Sequence, residues 1–169
     1  MKQVTVKETL VNKKWMAYNN NCLTNGEFLL KKEYLDPKKS SPSLVVAVSN
    51  CTSFVHEDLT NFYNLEAITP TCSDLIPDVE DKTMYILNKT KVMYEASPKI
   101  TARVFTVKDG DKKLNILIDE KYAKMFEGFR LVILDFINKV QPVIALDDDC
   151  NIVGLIMPVV NPVYQGVII

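Results

Sequence analysis

The chain is poor in the residue types on which most enzyme motifs depend. It has a single histidine, His56, and only five glycines in 169 residues. It contains no G-x-S-x-G motif, no phosphate-loop lysine and no G-x-G-x-x-G fingerprint, which hydrolases, nucleotide triphosphatases and dinucleotide-binding enzymes require. His56 stands beside Glu57 and Asp58, where a solvated first turn of a helix explains it more simply than acid–base catalysis. We therefore expect a protein that is not an enzyme and carries no cofactor.

The cysteines also lack the spacing of a metal site. Cys22, Cys51, Cys72 and Cys150 occur singly, without a C-x-x-C pair, whereas structural zinc sites usually use close ligand pairs. Hydrophobic residues make up 47% of the chain, so a core can form without disulfides. We expect no metal, reduced thiols and a cytoplasmic location.

Long apolar runs and an excess of either charge are absent as well. No run approaches the roughly 20 apolar residues of a membrane-spanning helix, and residues 1–7 lack the apolar core of a secretory signal, so no membrane partner is expected. Lysine plus arginine (20) nearly equals aspartate plus glutamate (21), which leaves a net charge of −1. Nucleic-acid-binding domains usually carry a basic excess, so the overall charge does not indicate DNA as a partner.

Lysine and asparagine are the abundant polar residues. Arginine occurs only at Arg103 and Arg130, and asparagines form a run at residues 19–21. This bias is typical of an AT-rich genome, such as that of a low-GC bacterium or its phage.

The sequence of the first half of the chain predicts short strands separated by polar turns. Period-2 alternation predicts a strand over residues 2–11, and Asn25-Gly26 predicts a type I′ hairpin turn because both residues tolerate positive φ. The remaining predictions are a returning strand over 27–35, a loop over 36–43, a strand over 44–48, a helix over 52–64 and a surface connection over 68–82.

The second half has clearer signals. Asp109-Gly110 predicts a hairpin between strands 100–107 and 113–118. Asp119 caps a predicted helix over 120–127 that Gly128 closes. A strand over 130–137 follows, and strands 142–146 and 151–159 pair across residues 147–150. We expect core positions at Phe126, Leu134, Ile144 and Ile156.

These elements predict an α+β fold, in which a mostly antiparallel sheet is backed by one or two short helices. The length favours one domain over residues 1–169. Within it, we expect the subregions 1–97, which is rich in strands, and 98–169. The connection over 68–82, with its prolines and acidic residues, offers a second position for a boundary between subregions.

Two charged clusters are candidate sites. Asp147-Asp148-Asp149 could bind Mg²⁺ or Ca²⁺ through its oxygens, but consecutive acids in a tight turn point in different directions, which favours a solvated hairpin tip. Lys121 and Lys124 lie three apart on the predicted helix and could contact a phosphate backbone. Glu120 and Glu127 beside them favour a mixed surface face.

The last twelve residues, 158–169, are unusually apolar for a chain end. They would either dock on the core or be offered to a partner by strand addition.

The predicted order from Leu114 to Val159 is strand, helix, strand, strand, strand. It resembles half a domain of the bacterial sliding clamp, the β subunit of the replicative polymerase. The likeness rests on Gln141–Asp149 followed by Gly154–Val159, a proline-led strand, an acidic turn and a strand ending in Leu-Ile-Met-Pro, and on Leu114–Tyr122, a strand leading into a helix.

The resemblance implies a pocket that receives short linear peptides from polymerases, with Leu155, Met157, Pro158 and Val159 at the matching positions. This chain departs from the clamp in two respects. A clamp subunit has three domains and this chain supplies only one, so a ring needs about six copies. The candidate DNA-facing helix is also not basic.

The expected function is therefore that of a non-enzymatic interaction protein with a clamp-like fold, which binds a replication-associated protein or DNA and self-associates into a homo-oligomer. One alternative is a phage virion or assembly protein that oligomerises through the apolar tail. Another is a metal-dependent nuclease or hydrolase that uses Asp147–Asp149.

Overall fold

The computed structural model describes residues 2–7, 17–18, 22–49, 54–55, 83–136 and 141–159. These residues form mostly antiparallel sheets with two short helices, so the predicted α+β class is confirmed. The chain divides into two compact units, Met1–Pro77 and Asp78–Ile169, hereafter the N-terminal and C-terminal units.

Four antiparallel strands of the N-terminal unit are hydrogen-bonded in the order β4–β1–β2–β3. They are β1 (Ala17–Tyr18), β2 (Cys22–Thr24), β3 (Phe28–Lys31) and β4 (Phe54–Val55). The helix expected over 52–64 is wrong at residues 54–55, because an aromatic and a β-branched residue there pair with β1. The rest of that prediction, and the connection expected over 68–82, lie outside the described residues.

The hairpin predicted from Asn25-Gly26 connects β2 and β3, but its loop is wider than a type I′ turn. β2 ends at Thr24 and β3 begins at Phe28, which leaves three residues in the loop. Gly26 has a positive φ of 89°, whereas Asn25 uses its side chain, whose Oδ1 accepts from the Glu27 N–H at 2.9 Å. The asparagine therefore acts as a local hydrogen-bond acceptor instead of a positive-φ residue. β3 ends at Lys31, where a 3-10 turn, Lys32–Tyr34, replaces the end of the expected strand.

The N-terminal segment keeps the expected alternation without forming a strand in residues 2–7. Val4 and Val6 are fully buried, and Val4 makes a parallel bridge to Leu35. The Val6 N–H donates to the Ser40 hydroxyl at 3.0 Å, so a side chain takes the place of a ladder partner. Residues 8–11 of this prediction lie outside the described residues.

The strand expected over 44–48 is wrong, since these residues belong to helix α1 (Pro42–Ser49). Both the Leu44 and the Val45 N–H groups donate to the Ser41 carbonyl, at 3.1 and 3.2 Å. Pro42 stands at the first helical position, where its fixed φ suits a helix and its missing N–H costs nothing. Leu44 is buried while Val46 is 58% exposed, which is the pattern of a helix, because in a strand both would lie on one face.

The C-terminal unit contains a three-stranded antiparallel sheet in the order β6–β7–β8. Its strands are β6 (Asn88–Ser97), β7 (Ile100–Asp109) and β8 (Lys112–Asp119). Asp109 is opposite Lys112, so the predicted hairpin is confirmed with a two-residue loop, and Gly110 takes a φ of 61° there.

Strand β6 is irregular along its pairing with β7. Lys89 pairs with Phe105 and Met93 pairs with Arg103. Between these two pairs the chain advances by four residues in β6 and by only two residues in β7. Inside this bulge the Thr90 hydroxyl donates to the Val104 carbonyl at 2.6 Å. A second irregularity lies between Glu95 and Ser97.

Helix α2 (Glu120–Met125) follows β8 directly. The Asp119 side chain accepts from the Lys121 N–H, which confirms the predicted cap. Tyr122, Met125 and Phe126 are buried, as the helical spacing indicates. The helix ends two residues earlier than expected, and Gly128 lies beyond it with a φ of 90°.

The remaining strands of the C-terminal unit are hydrogen-bonded in the antiparallel order β11–β10–β9–β5. They are β5 (Tyr85–Ile86), β9 (Arg130–Ile133), β10 (Val143–Leu146) and β11 (Ile152–Ile156). From β8 to β11 the order is thus strand, helix, strand, strand, strand, as predicted.

The core prediction holds at Phe126, Ile144 and Ile156, which are at most 1% exposed. It is wrong at Leu134, which is only half-buried. β9 ends at Ile133 because the Gln141 side chain accepts the next two backbone N–H groups, those of Leu134 and Asp135. The chain therefore turns out of the sheet at Leu134.

Candidate functional site

The four residues expected to bind a partner lie near the end of β11 and in the segment that leaves it. Leu155 is 7% exposed and lies opposite Ile144 within the sheet, so its side chain contributes to packing. Met157 follows the last strand residue and is 41% exposed, while Pro158 is half-buried. Of the four, Met157 is the side chain that a partner can reach most readily.

Val159 fixes the end of this segment on the three-stranded sheet. Its N–H donates to the Leu117 carbonyl of β8 at 2.8 Å. Its side chain packs against a cluster formed by Ala102, Val104 and Leu117, together with Tyr94. β8 is an outer strand of that sheet, so Val159 occupies one hydrogen-bonding position on its free edge. Residues 160–169 of the apolar tail lie outside the described residues.

The start of α2 contains a bidentate ion pair. The Arg103 guanidinium on β7 donates to both Glu120 carboxylate oxygens, at 2.9 and 2.8 Å. The Arg103 hydrogen bonds, and to a lesser degree its charge, hold the pKa of Glu120 below its ordinary value, and the same contact raises the pKa of Arg103. Bidentate pairing fixes geometry as well as charge. A third hydrogen bond runs from Arg103 to the Thr90 carbonyl at 3.3 Å.

The two lysines proposed to contact phosphate differ in their surroundings. The Lys121 ammonium lies 3.7 Å from the Asp119 carboxylate and 5.0 Å from the centre of the Tyr122 ring. Lys124 is exposed in the last turn of the helix. Lys121 is thus engaged with Asp119 and Tyr122, and Glu120 is paired with Arg103 and only 12% exposed, so Lys124 and Glu127 are the exposed charges of the predicted mixed face.

The acidic turn between β10 and β11 is organised by its first carboxylate. Asp147 accepts the N–H groups of Asp149 and Asn151, at 2.9 and 2.8 Å, through one oxygen. Its other oxygen accepts from the Asn151 amide at 3.3 Å. Cys150 completes the turn with a φ of 64°. Both carboxylate oxygens of Asp147 therefore accept hydrogen bonds within the turn. Within the described ranges, no group of three or more acidic, histidine or cysteine side chains is placed to hold a metal ion.

The remaining candidates are only partly described. His56, Cys51 and Cys72 lie outside the described residues. The Cys150 thiol is free and exposed, and it lies 4.0 Å from an Arg130 nitrogen.

Sequence reasoning missed Arg103 and the row of lysines on the β7–β8 hairpin. Arg103 and Glu120 are 17 residues apart, and no local pattern connects them. Lys108 and Lys113 could have been found, because a hairpin with a two-residue loop places them directly opposite each other.

Comparisons with known protein families, curated proteins and solved structures find no match to this chain. In the part of the chain that the structure describes, no helix is long and apolar enough to cross a membrane.

Proposed function

We propose that this chain is a non-enzymatic interaction protein with a clamp-like half-domain, which binds a replication-associated protein through the segment that leaves β11. The observation that carries this proposal is the exposed Met157 side chain, held between a buried strand and the docked Val159. Because the backbone on both sides of Met157 is held, binding costs little backbone entropy, and the exposed apolar side chain is available as a partner anchor.

The order of elements from β8 to β11 supports the clamp-like part of the proposal. It reproduces the strand, helix and three strands on which the resemblance was based. The acidic hairpin and the Leu-Ile-Met-Pro end of β11 belong to this unit. The local use of the Asp147 oxygens gives the nuclease alternative no support.

A peptide-binding experiment tests the site. The probe is a fluorescently labelled short linear peptide from a bacterial replicative polymerase, and the readout is anisotropy. We expect micromolar binding that Met157→Asp weakens at least about tenfold, which corresponds to about 1.4 kcal/mol. Met93→Asp is the matched control, because Met93 is also 41% exposed but lies on β6. Equal weakening in both variants, or no binding by the natural protein, would contradict the assigned site.

The solution mass, measured by light scattering after size exclusion over a range of concentrations, tests the larger assembly. A stable species near six copies would support a ring and justify binding assays on circular DNA. A monomer at every concentration would exclude encirclement by this protein and leave a peptide-binding module.

A second candidate function, assembly through the C-terminal tail, is favoured by the Val159–Leu117 hydrogen bond. This contact brings the start of the tail to the outer strand β8, where a tail from another copy would meet the same edge. A dimer or trimer that dissociates when the residues after Pro158 are deleted would establish this function. An unchanged mass after that deletion would exclude it.

A further inference from the structure

Positive charge is concentrated in the three-stranded sheet. Residues 88–118 contain seven lysines and arginines against three acidic residues, whereas the rest of the chain contains thirteen basic and eighteen acidic residues. The near-neutral total therefore hides a local excess, and it is the local distribution that governs attraction of an anionic partner.

Two of these lysines share one face of the sheet with three neutral polar side chains. Lys108 is opposite Lys113, Thr106 is opposite Asn115, and Asn88 is opposite Thr106 from the third strand. Residues two apart in a strand point to the same side. Asn88, Thr106, Lys108, Lys113 and Asn115 thus form one continuous surface, hereafter the lysine face.

The lysine pair has no counter-charge close to it on this face, because the carboxylate on the same side of β8, Asp119, is six residues from Lys113 and lies 3.7 Å from Lys121. Like charges directly across an antiparallel pair repel each other, and neither Lys108 nor Lys113 forms an ion pair within the described residues. The next pair, Asp109 and Lys112, points to the opposite face. By contrast, Lys89 and Arg103 of the same sheet are paired with Glu127 and Glu120. The repulsion between Lys108 and Lys113 would be relieved by an anion placed between them.

The arrangement fits a chain of phosphates better than an acidic protein segment. The lysine face covers three strands about 4.8 Å apart, and its two rows are about 7 Å apart along each strand, which is room for more than one phosphate. Every side chain on it can donate a hydrogen bond. Its five residues are polar, and the apolar residues that follow on the same side, Val104 and Leu117, are buried and pack against Val159, so a protein partner would find no open anchor pocket here.

We propose that the lysine face binds the sugar–phosphate backbone of a nucleic acid. Lys108 and Lys113 neutralise neighbouring phosphates, while Asn88, Thr106 and Asn115 donate hydrogen bonds to phosphate or sugar oxygens. Such contacts position a nucleic acid without reading its sequence. Since only two lysines neutralise phosphates, binding is weak and log K falls with log salt at a slope of about −1.4 to −1.8, as suits an auxiliary contact made while another surface holds a protein partner.

The test uses the full chain and labelled 20-nucleotide DNA, single-stranded and duplex, at several salt concentrations. We expect binding at low salt that Lys108→Gln/Lys113→Gln weakens at least about tenfold. The slope of log K against log salt should become shallower by about 0.7–0.9 for each phosphate that the variant no longer neutralises. Lys38→Gln/Lys39→Gln is the matched control, since it removes the same charge from an exposed turn of the N-terminal unit, and should leave binding unchanged.

Three results would overturn the proposal. They are no binding of either DNA at the lowest salt, equal weakening by the control variant, and displacement of DNA by polyglutamate as effectively as by unlabelled DNA. The last result would identify an acidic protein segment as the occupant. Because Met157 belongs to a different segment, Met157→Asp should retain DNA binding, so failure of one proposal is distinguishable from failure of the other.

Discussion

Arg103 connects three elements of the C-terminal unit through its hydrogen bonds. From β7 it reaches Glu120 at the start of α2 and the Thr90 carbonyl within the bulge of β6. Exposed ion pairs contribute little to stability, but these side chains are only 18% and 12% exposed. A bidentate pair in such surroundings orients the helix on the sheet.

The lowered pKa of Glu120 predicts how stability depends on pH. A carboxyl whose pKa is lower in the folded state contributes stability that is complete above its unfolded pKa, about 4.3, and is lost as the pH falls through the folded pKa. Glu120→Gln should therefore lower Tm by a few degrees at pH 7, and the difference from the natural protein should shrink below about pH 4.

Thermal unfolding at pH 7, 5 and 3 checks this prediction. Glu95→Gln is the control, because Glu95 is exposed on β6 and its substitution removes the same charge. A difference between Glu120→Gln and the natural protein that stayed constant down to pH 3 would contradict the prediction.

Leu146 and Leu134 allow the boundary of β9 to be tested with the same chemical change. Leu146 is fully buried in β10, and Leu134 is half-buried beyond the end of β9. Leu146→Ala should cost about 2–5 kcal/mol of unfolding free energy, because a buried leucine leaves a cavity. Leu134→Ala should cost about 1 kcal/mol, as it removes less buried apolar surface. Urea unfolding gives both values, and equal losses would place Leu134 in the core.

At the scale of the element, the sequence predicts well wherever a local signal agrees with the tertiary environment. The hairpin loop at Gly110 and the Asp119 cap involve residues close in sequence, and both form as expected. The run Leu44–Val48 predicts a strand by composition, yet these residues belong to a helix that begins at Pro42 and buries Leu44. Short apolar runs are ambiguous because strand and helix both bury them.

The loop between β7 and β8 permits a prediction about backbone strain. A Cβ added at Gly110 would meet no atom within 4 Å, but the residue has a φ of 61°. Gly110→Ala should therefore cost about 1–2 kcal/mol through conformation alone, with no clash. Asp111→Ala, in the same loop, is the control, because Asp111 lacks a positive φ and should change stability by less than about 0.5 kcal/mol. Urea unfolding measures both, and equal effects would exclude strain as the cause.

At the scale of the whole molecule, the sequence could not supply the exposure of side chains or the register of the irregular strand β6. Leu155 and Met157 are both apolar and two residues apart, yet one is buried and the other open, since β11 ends between them. The lysine face likewise depends on which residues lie opposite each other in β6, β7 and β8. Local sequence patterns indicate the periodicity of a segment, but they do not indicate which of its side chains other elements bury.

Val159 joins the end of β11 to the three-stranded sheet, so shortening its side chain should also destabilise neighbouring elements. Val159→Ala removes packing against the cluster of Ala102, Val104 and Leu117 and should cost about 1 kcal/mol, because the side chain is only partly buried. Amide hydrogen exchange should accelerate in β8 and in the residues after Ile156. Faster exchange throughout the chain would instead indicate a global loss of stability.

The irregular pairing of β6 has a consequence for solubility. A long, flat outer strand is a template on which other chains add and aggregate. β6 is ten residues long, but its two irregularities bend the backbone and Lys89 and Lys91 place charge along it. Both features oppose the addition of further strands along β6, where Val92 and Met93 are exposed.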